Sequence, residues 1–286
     1  MALGDFFKQQ RLANGLTISD ISHGIISESQ ISRFERNETD LNVATFFELL
    51  QKFGSDMETW QMTYMATQSQ SFIQGLDIAA SKGPDAVMVL ANSLHEKWVK
   101  TGNPFNRYAS IATRAALPLL GQPNVVTSEE VSVMKKYFET VNTWGMFDLA
   151  VLNMMTPLFD LDLLLNFGKV IAMDKPSDLQ GLLYRGYRIL AVYKIIDMLV
   201  RTQRFEDAES LWTRVKNEPP LADEIGINLR HQIYALSFRY RHSPQKDLAT
   251  KAAQVARVGG VSGKALLGNQ MISIWQAITG VKLNGQ

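Results

Sequence analysis

Apolar residues recur along this chain at spacings of three and four, and strand-like alternation is nearly absent, so the pattern predicts helices from end to end. The first predicted helix, Asp5 to Asn14, turns Phe6 or Phe7 and Leu12 inward and stops at Gly15. Thr17 caps a second helix that turns Ile18 and Ile21 inward and carries Asp20 in the first turn, where the helix dipole favours an acid; Gly24 then closes a turn. Ser27 opens a third, Ser27 to Glu38 (SESQISRFERNE), with Gln30 spaced to complete a capping box and Ile31 and Phe34 as its apolar face. Asn42 caps a fourth helix bearing Val43, Phe46, Leu49, Leu50 and Phe53, and Gly54 stops it. Met57, Trp60 and Tyr64 mark a short fifth, and the expected result is an all-α, five-helix domain over residues 1–66.

Residues 67–71, TQSQS, read as a polar linker. From there the pattern is helices separated by breaks at Gly83-Pro84, Gly102-Asn103-Pro104, Gly121 to Val125, Lys175-Pro176, Pro219-Pro220, Ser243-Pro244 and Gly259-Gly260. About eleven helices are expected, and the run Arg204 to Pro220 resembles the tetratricopeptide pattern in Phe205, Ala208 and the closing prolines. The expected architecture for 72–286 is a right-handed solenoid of about five helical hairpins, whose concave face can receive an extended peptide.

Composition narrows the function classes. With 46% apolar and 20% charged residues the chain has the make-up of a globular protein. It has no cysteine, which excludes disulfides, cysteine nucleophiles and thiolate metal sites and suits a reducing, cytoplasmic setting. No signal-like N-terminus and no run of eighteen apolar residues is present, and the longest apolar stretch, Met146 to Phe167, is broken by Asp148, Asp160 and Asp162, so secretion and membrane spanning are not expected. The overall charge is +1, yet residues 1–66 hold five basic against nine acidic side chains, a net −4.

That charge matters because the third helix carries candidate chemistry. Opposite Ile31 and Phe34 it presents Ser29, Arg33 and Arg36, and a short helix with such a face suits a DNA major groove, where arginine grips guanine bidentately and serine serves base or phosphate. An ordinary amphipathic surface helix would look similar. An acidic domain would bind DNA poorly by itself, since phosphate neutralisation supplies most salt-dependent affinity, and pairing across two half-sites would compensate.

Residues 3–60 resemble the helix-turn-helix domain of the lambda-repressor-like, xenobiotic-response-element class of regulators, through KQQRLANGL (Lys8 to Leu16) and ISRFERNE (Ile31 to Glu38). The resemblance implies a partly buried ion pair between Arg11 and Glu35, and a DNA-contacting set of Glu28, Ser29, Gln30, Ser32, Arg33 and Arg36. Ser29 and Arg33 are the expected base readers, with Ser32 and Arg36 on the backbone. Asn37 stands where that class has glycine, an exchange the left-handed backbone tolerates. Glu28 stands where many relatives have Lys or Gln; it reads a cytosine amino group or repels phosphate, and both readings stay open.

A second resemblance covers nearly the whole chain. SQISRFER (Ser29 to Arg36) combined with TWGMFDLAVLNMMTPLFD (Thr143 to Asp160) is similar to the Rgg/GadR/MutR family of Gram-positive transcriptional regulators. It implies a cytoplasmic homodimer, noncovalent in a chain without cysteine, whose helical domain binds a short imported signalling peptide and adjusts action at promoter DNA. It implies peptide-facing roles for Asn153, for Tyr184, Tyr187 and Arg188 in LLYRGYRIL, and for Asn228 and Arg230.

Plainer roles compete. Tyr184 and Tyr187 could be core with hydroxyls on carbonyls, and Asn153, a polar amide in an apolar helix, could bond a neighbouring helix instead of a peptide. Trp98, Trp144, Trp212 and Trp275 read as core. His23, His95, His231 and His242 stand singly, with no metal-binding spacing. GGVSGKA lacks the phosphate-loop pattern, because Val258 stands at the first glycine position and Ala265 follows Lys264. No enzyme, metal site or cofactor is expected. A protein-interaction adaptor with a secondary DNA role is the alternative function.

Overall fold

The structure is a computed structural model that describes residues 2–54, 60, 72–174, 182–218, 224–261 and 265–283. All regular elements among them are helical, and the chain divides into two units, Met1–Ser81 and Lys82–Gln286. The expected linker 67–71 lies outside the described residues, as do Met57 and Tyr64 of the fifth helix.

The first unit contains α1 (Leu3–Ala13), α2 (Ile18–Ser22), α3 (Glu28–Glu35), α4 (Val43–Lys52) and α5 (Phe72–Lys82). Its core joins Phe6, Phe7, Ile21, Ile31, Phe34, Leu49, Leu50, Phe53 and Trp60. The Phe7 ring meets Phe34 and Phe53 edge-on at 5.3 and 5.1 Å, and Phe6 meets Trp60 edge-on at 4.8 Å. Each such side chain contributes about 1.5–3 kcal/mol on full burial, against about 1 kcal/mol for a helix cap. The core therefore places the helices and the caps set their ends. Thr17 and Asp20 form a capping box on α2, Ser27 and Gln30 form one on α3, and Asn42 Oδ1 accepts from Thr45 N on α4. Positive φ at Gly15 and Gly24 turns the chain between α1, α2 and α3.

Two expectations for α1 change. Leu12 is 59% exposed instead of inward, because both Phe6 and Phe7 point into the core and leave Leu12 off that stripe. The helix also begins at Leu3, earlier than Asp5, since its first turn is capped from elsewhere in the fold. Ala2 offers no side-chain cap; Gly4 N donates instead to Asn37 Oδ1 at 3.0 Å. Asn37 adopts φ +58°, and a Cβ on Gly4 would lie 2.0 Å from the Phe34 carbonyl oxygen. Asn37 holds the left-handed turn ending α3, as a glycine would, and adds what a glycine could not: its side chain satisfies an orphan amide of α1.

The second unit contains α6 (Pro84–Thr101), α7 (Pro104–Ala115), α8 (Ser128–Glu139), α9 (Met146–Met155), α10 (Leu161–Met173), α11 (Leu182–Arg201), α12 (Phe205–Val215), α13 (Ile225–His242), α14 (Lys246–Val261) and α15 (Ala265–Thr279), with 3-10 turns at Leu117–Leu120 and Thr156–Leu158. With α5, eleven helices follow residue 71 among the described residues, matching the expected number of about eleven. Packing runs between sequence neighbours (α6 with α7, α10 with α11, α11 with α12) and between next-but-one helices (α7 with α9, α9 with α11, α11 with α13, α13 with α15), the pattern of stacked hairpins. The tryptophans Trp144, Trp212 and Trp275 are core, and Ala208 of the tetratricopeptide-like run is fully buried. Met146 to Phe167 forms α9, a 3-10 turn and most of α10; among the described residues no helix is long and apolar enough to cross a membrane.

The expected break at Gly259-Gly260 is absent: α14 runs on to Val261. The glycines serve close packing instead. A Cβ on Gly259 would sit 3.0 Å from Gly268 N, and one on Gly268 would sit 2.7 Å from the Ala256 carbonyl oxygen, so α14 and α15 meet backbone to backbone. The Lys175-Pro176 and Pro219-Pro220 breaks and Gly263-Lys264 lie outside the described residues.

Candidate nucleic-acid interface and ligand site

On α3, Glu28, Ser29, Gln30, Arg33 and Arg36 are exposed and Ser32 is half-buried, while Ile31, Phe34 and Glu35 are buried, so the predicted two faces are both present. The face is fixed from behind. Arg11 Nε and Nη2 donate to the two Glu35 carboxylate oxygens at 2.6 and 2.9 Å, and Arg11 Nη1 donates to the Leu16 carbonyl at 2.8 Å. The hydrogen bond to Glu35 raises the Arg11 pKa above its ordinary value. This pair ties α1 to α3 and, through Leu16, to the turn before α2; its two side chains are 8% and 3% exposed.

The exposed face is partly committed to itself. Gln30 Oε1 accepts from Ser27 N at 3.2 Å and from Ser27 Oγ at 3.0 Å, so the amide oxygen caps the helix. Arg36 donates from Nε and Nη2 to Glu38 at 2.7 and 2.9 Å, and from Nη1 to Ser32 Oγ at 2.6 Å. That contact holds the Glu38 carboxyl below its usual range and raises Arg36. Among the described residues Arg33 makes one hydrogen bond, a 3.4 Å contact from Nε to the Ser29 carbonyl, besides a charge interaction with Glu38, and Ser29 Oγ lies 3.1 Å from Ser27 Oγ. Arg33 is therefore the cation of this face most available to a base edge, whereas Arg36 meets a phosphate only by leaving Glu38.

In the second unit the predicted residues converge on α9, α11 and α13, but unequally. Asn153, on α9, is 2% exposed; Nδ2 donates to the Tyr187 carbonyl at 3.4 Å, and Oδ1 has no hydrogen-bond partner among the described residues. Tyr184 is buried, with its hydroxyl on Asp174, and burial pushes its pKa up. Arg188 is wholly buried, donating to the Ile171 carbonyl at 3.1 Å and to Glu218. Tyr187 and Asn228 are half-buried. Arg230 donates to Asp197 at 2.8 Å and to Gln270 of α15 at 3.0 Å.

The structure adds residues that sequence reasoning did not single out. Lys194 Nζ donates to the Asn153 main-chain carbonyl at 2.7 Å, and burial pushes the lysine down to about 8. Asp197 also accepts from the Tyr234 hydroxyl, and Tyr193 Oη lies 2.7 Å from His231 Nδ1. A signal existed: Tyr184, Tyr187, Lys194, Asp197 and Arg201 share one stripe of a helix rich in Leu, Ile, Val and Ala. Among the described residues no cluster of His, Cys, Asp or Glu could hold a metal ion.

Residues 7–60 match the sequence profile of the helix-turn-helix family. A sequence comparison with curated proteins gave no match. The fold is similar to that of the SHP pheromone receptor Rgg2 of Streptococcus dysgalactiae, with TM-score 0.72 and 17% identity over 96% of this chain and 99% of that one. It is similar to PrgX in its complex with cCF10, with TM-score 0.71 and 14% identity over 99% of this chain and 94% of that one. It is also similar to the receptor in a bacterial peptide pheromone/receptor complex, with TM-score 0.68 and 14% identity over 98% and 99%. The all-helical, two-part fold implied by the sequence resemblance is the fold these structures share with this chain.

Proposed function

We propose that the chain is a sequence-specific DNA-binding transcription regulator of the cytoplasm, acting as a noncovalent homodimer, whose helical domain (expected over 72–286) binds a short signalling peptide. The observation that carries the reading is α3: an outward Ser29 and Arg33 on a helix whose back is locked by Ile31, Phe34 and the Arg11–Glu35 pair. Preorganised base readers of this kind lose little conformational freedom on binding. The likeness to solved peptide pheromone receptors supports the peptide half. Asn153, Tyr187, Asn228 and Arg230 contact the peptide directly in this reading, with Tyr184 and Arg188 bracing them from within the core. Base contact falls to Ser29 and Arg33, helped by Glu28 and Gln30, and phosphate contact to Ser32 and Arg36.

The mechanism is a population shift. A peptide alters DNA binding only through different affinity for two arrangements of the dimer, so DNA and peptide must change each other's affinity by one factor. Selection from a random duplex pool tests the reading. The wild type should enrich two half-sites spaced by about one helical turn, and Arg33→Ala should lose that enrichment while keeping its helical circular dichroism. A wild type that enriches nothing would remove the DNA reading and leave an interaction adaptor, which the net −4 of residues 1–66 would favour.

A further inference from the structure

Lys194 is a half-buried lysine on α11 whose amine makes one hydrogen bond among the described residues, to the Asn153 main-chain carbonyl. That bond has a local cause. The carbonyl of residue 153 would ordinarily accept from the amide of residue 157, which is Pro157 and has no N–H. The lysine supplies the missing donor. This accounts for one of its three N–H groups and leaves its charge unexplained, since a neutral amide could do the same.

The charge has no carboxylate of its own. Asp197, one turn along α11, is the acid that acts on it, and Asp197 is already paired with Arg230 of α13, accepts from Tyr234 and feels Arg201 as well. Three cations, Lys194, Arg201 and Arg230, therefore share one carboxylate among the described residues. Asn153, whose main-chain carbonyl Lys194 holds, has its Oδ1 buried without a hydrogen-bond partner among the described residues. A buried acceptor without a donor and a partly desolvated cation with only a shared anion are both costly. One ligand relieves both: a peptide chain that brings a carboxylate and a main-chain N–H.

We infer that Lys194 is the anion-recognising residue of the helical domain, taking a carboxylate of the bound peptide while Asn153 Oδ1 accepts a main-chain N–H beside it. The inference rests on the peptide-sensing reading and adds the chemistry of the peptide: acidic at the position that reaches α11, by an Asp or Glu side chain or by the C-terminal carboxylate.

The test is affinity selection by the full chain from two synthetic random octapeptide pools, both N-acetylated, one C-terminally amidated and one with a free carboxylate, read by mass spectrometry. From the amidated pool the wild type should enrich Asp or Glu at one position; otherwise it should retain the free-acid pool over the amidated one. Either result identifies the source of the carboxylate. Lys194→Gln, which keeps an N–H for the Asn153 carbonyl, should reduce the carboxylate preference about tenfold to a hundredfold. A second reading needs no variant. The charges acting on Lys194 are Asp197 on its own helix and Arg230 on α13; Arg201 acts on Asp197, Tyr234 of α13 donates to Asp197, and His231 of α13 lies on the Tyr193 hydroxyl. Burial lowers the His231 pKa below its ordinary range and raises that of Tyr234, so neither changes charge between pH 7 and 9. The wild-type preference should therefore fall about fivefold between pH 8 and 9 as the lysine loses its proton. Peptides retained with no carboxylate preference, or a preference that Lys194→Gln leaves intact, would overturn the assignment while sparing peptide sensing. No peptide retained from either pool would overturn both.

Discussion

The two units treat buried polar groups in opposite ways. In Met1–Ser81 each buried polar side chain among the described residues is matched: Arg11 and Glu35 bond each other twice, the third Arg11 donor finds the Leu16 carbonyl, and Ser22 donates to the Ser19 carbonyl. In Lys82–Gln286 lie all five of the buried side-chain atoms without a hydrogen-bond partner among the described residues: Trp144 Nε1, Asn153 Oδ1, Arg188 Nε, Ser237 Oγ and Trp275 Nε1. A fully paired network specifies one arrangement, whereas a partly paired one leaves free energy that a ligand or a second packing can release. The first unit backs α3 with paired groups, whereas the second keeps buried polar atoms unpaired among the described residues.

That contrast can be broken at four places. Glu35→Ala would strand the buried Arg11 guanidinium and should destabilise the first unit by about 3–5 kcal/mol; an unchanged urea midpoint would show the pair to be dispensable. Ser237→Ala, in the second unit, removes a hydroxyl that has no partner among the described residues and should instead stabilise by roughly 1 kcal/mol; a loss of stability on melting would mean that the hydroxyl is satisfied in solution and the contrast is weaker than drawn. Asn37→Gly keeps the left-handed turn but deletes the cap on Gly4 N, for a loss of about 1 kcal/mol. If the cap is unimportant, hydrogen exchange at the start of α1 will not rise. Glu38→Gln should release Arg36 to a phosphate, so that nonspecific DNA affinity increases and its logarithmic salt slope steepens by about one. A slope identical to wild type would leave Arg36 without a role in DNA contact.

Much of the first unit was legible because its determinants are local. Ser27 with Gln30, Thr17 with Asp20 and Asn42 ahead of Val43 are helix starts within four residues of what they cap, and Gly15, Gly24 and Gly54 mark turns whose positive φ suits glycine. The errors arose where distant segments decide. Leu12 sits at helical spacing but faces solvent once Phe6 and Phe7 claim the core, and Gly259-Gly260 reads as a break until Gly268 of α15 is brought against it. In the second unit the stripe on α11 could be read, yet the roles within it could not. Whether Tyr184 lines a groove or rests on Asp174, and whether Arg188 meets ligand or Glu218, depends on residues ten and thirty positions away.

By itself the sequence determined the helices, most of their ends, and the outward Ser29 and Arg33, because periodicity and capping act over three or four residues. Only the tertiary structure decided that Asn37 caps α1, that Glu38 holds Arg36, and that Lys194 stands in for the N–H that Pro157 lacks. Each of those contacts joins groups whose proximity is set by helix packing or by the path of a turn, and a pattern along one helix carries no record of what lies across from it.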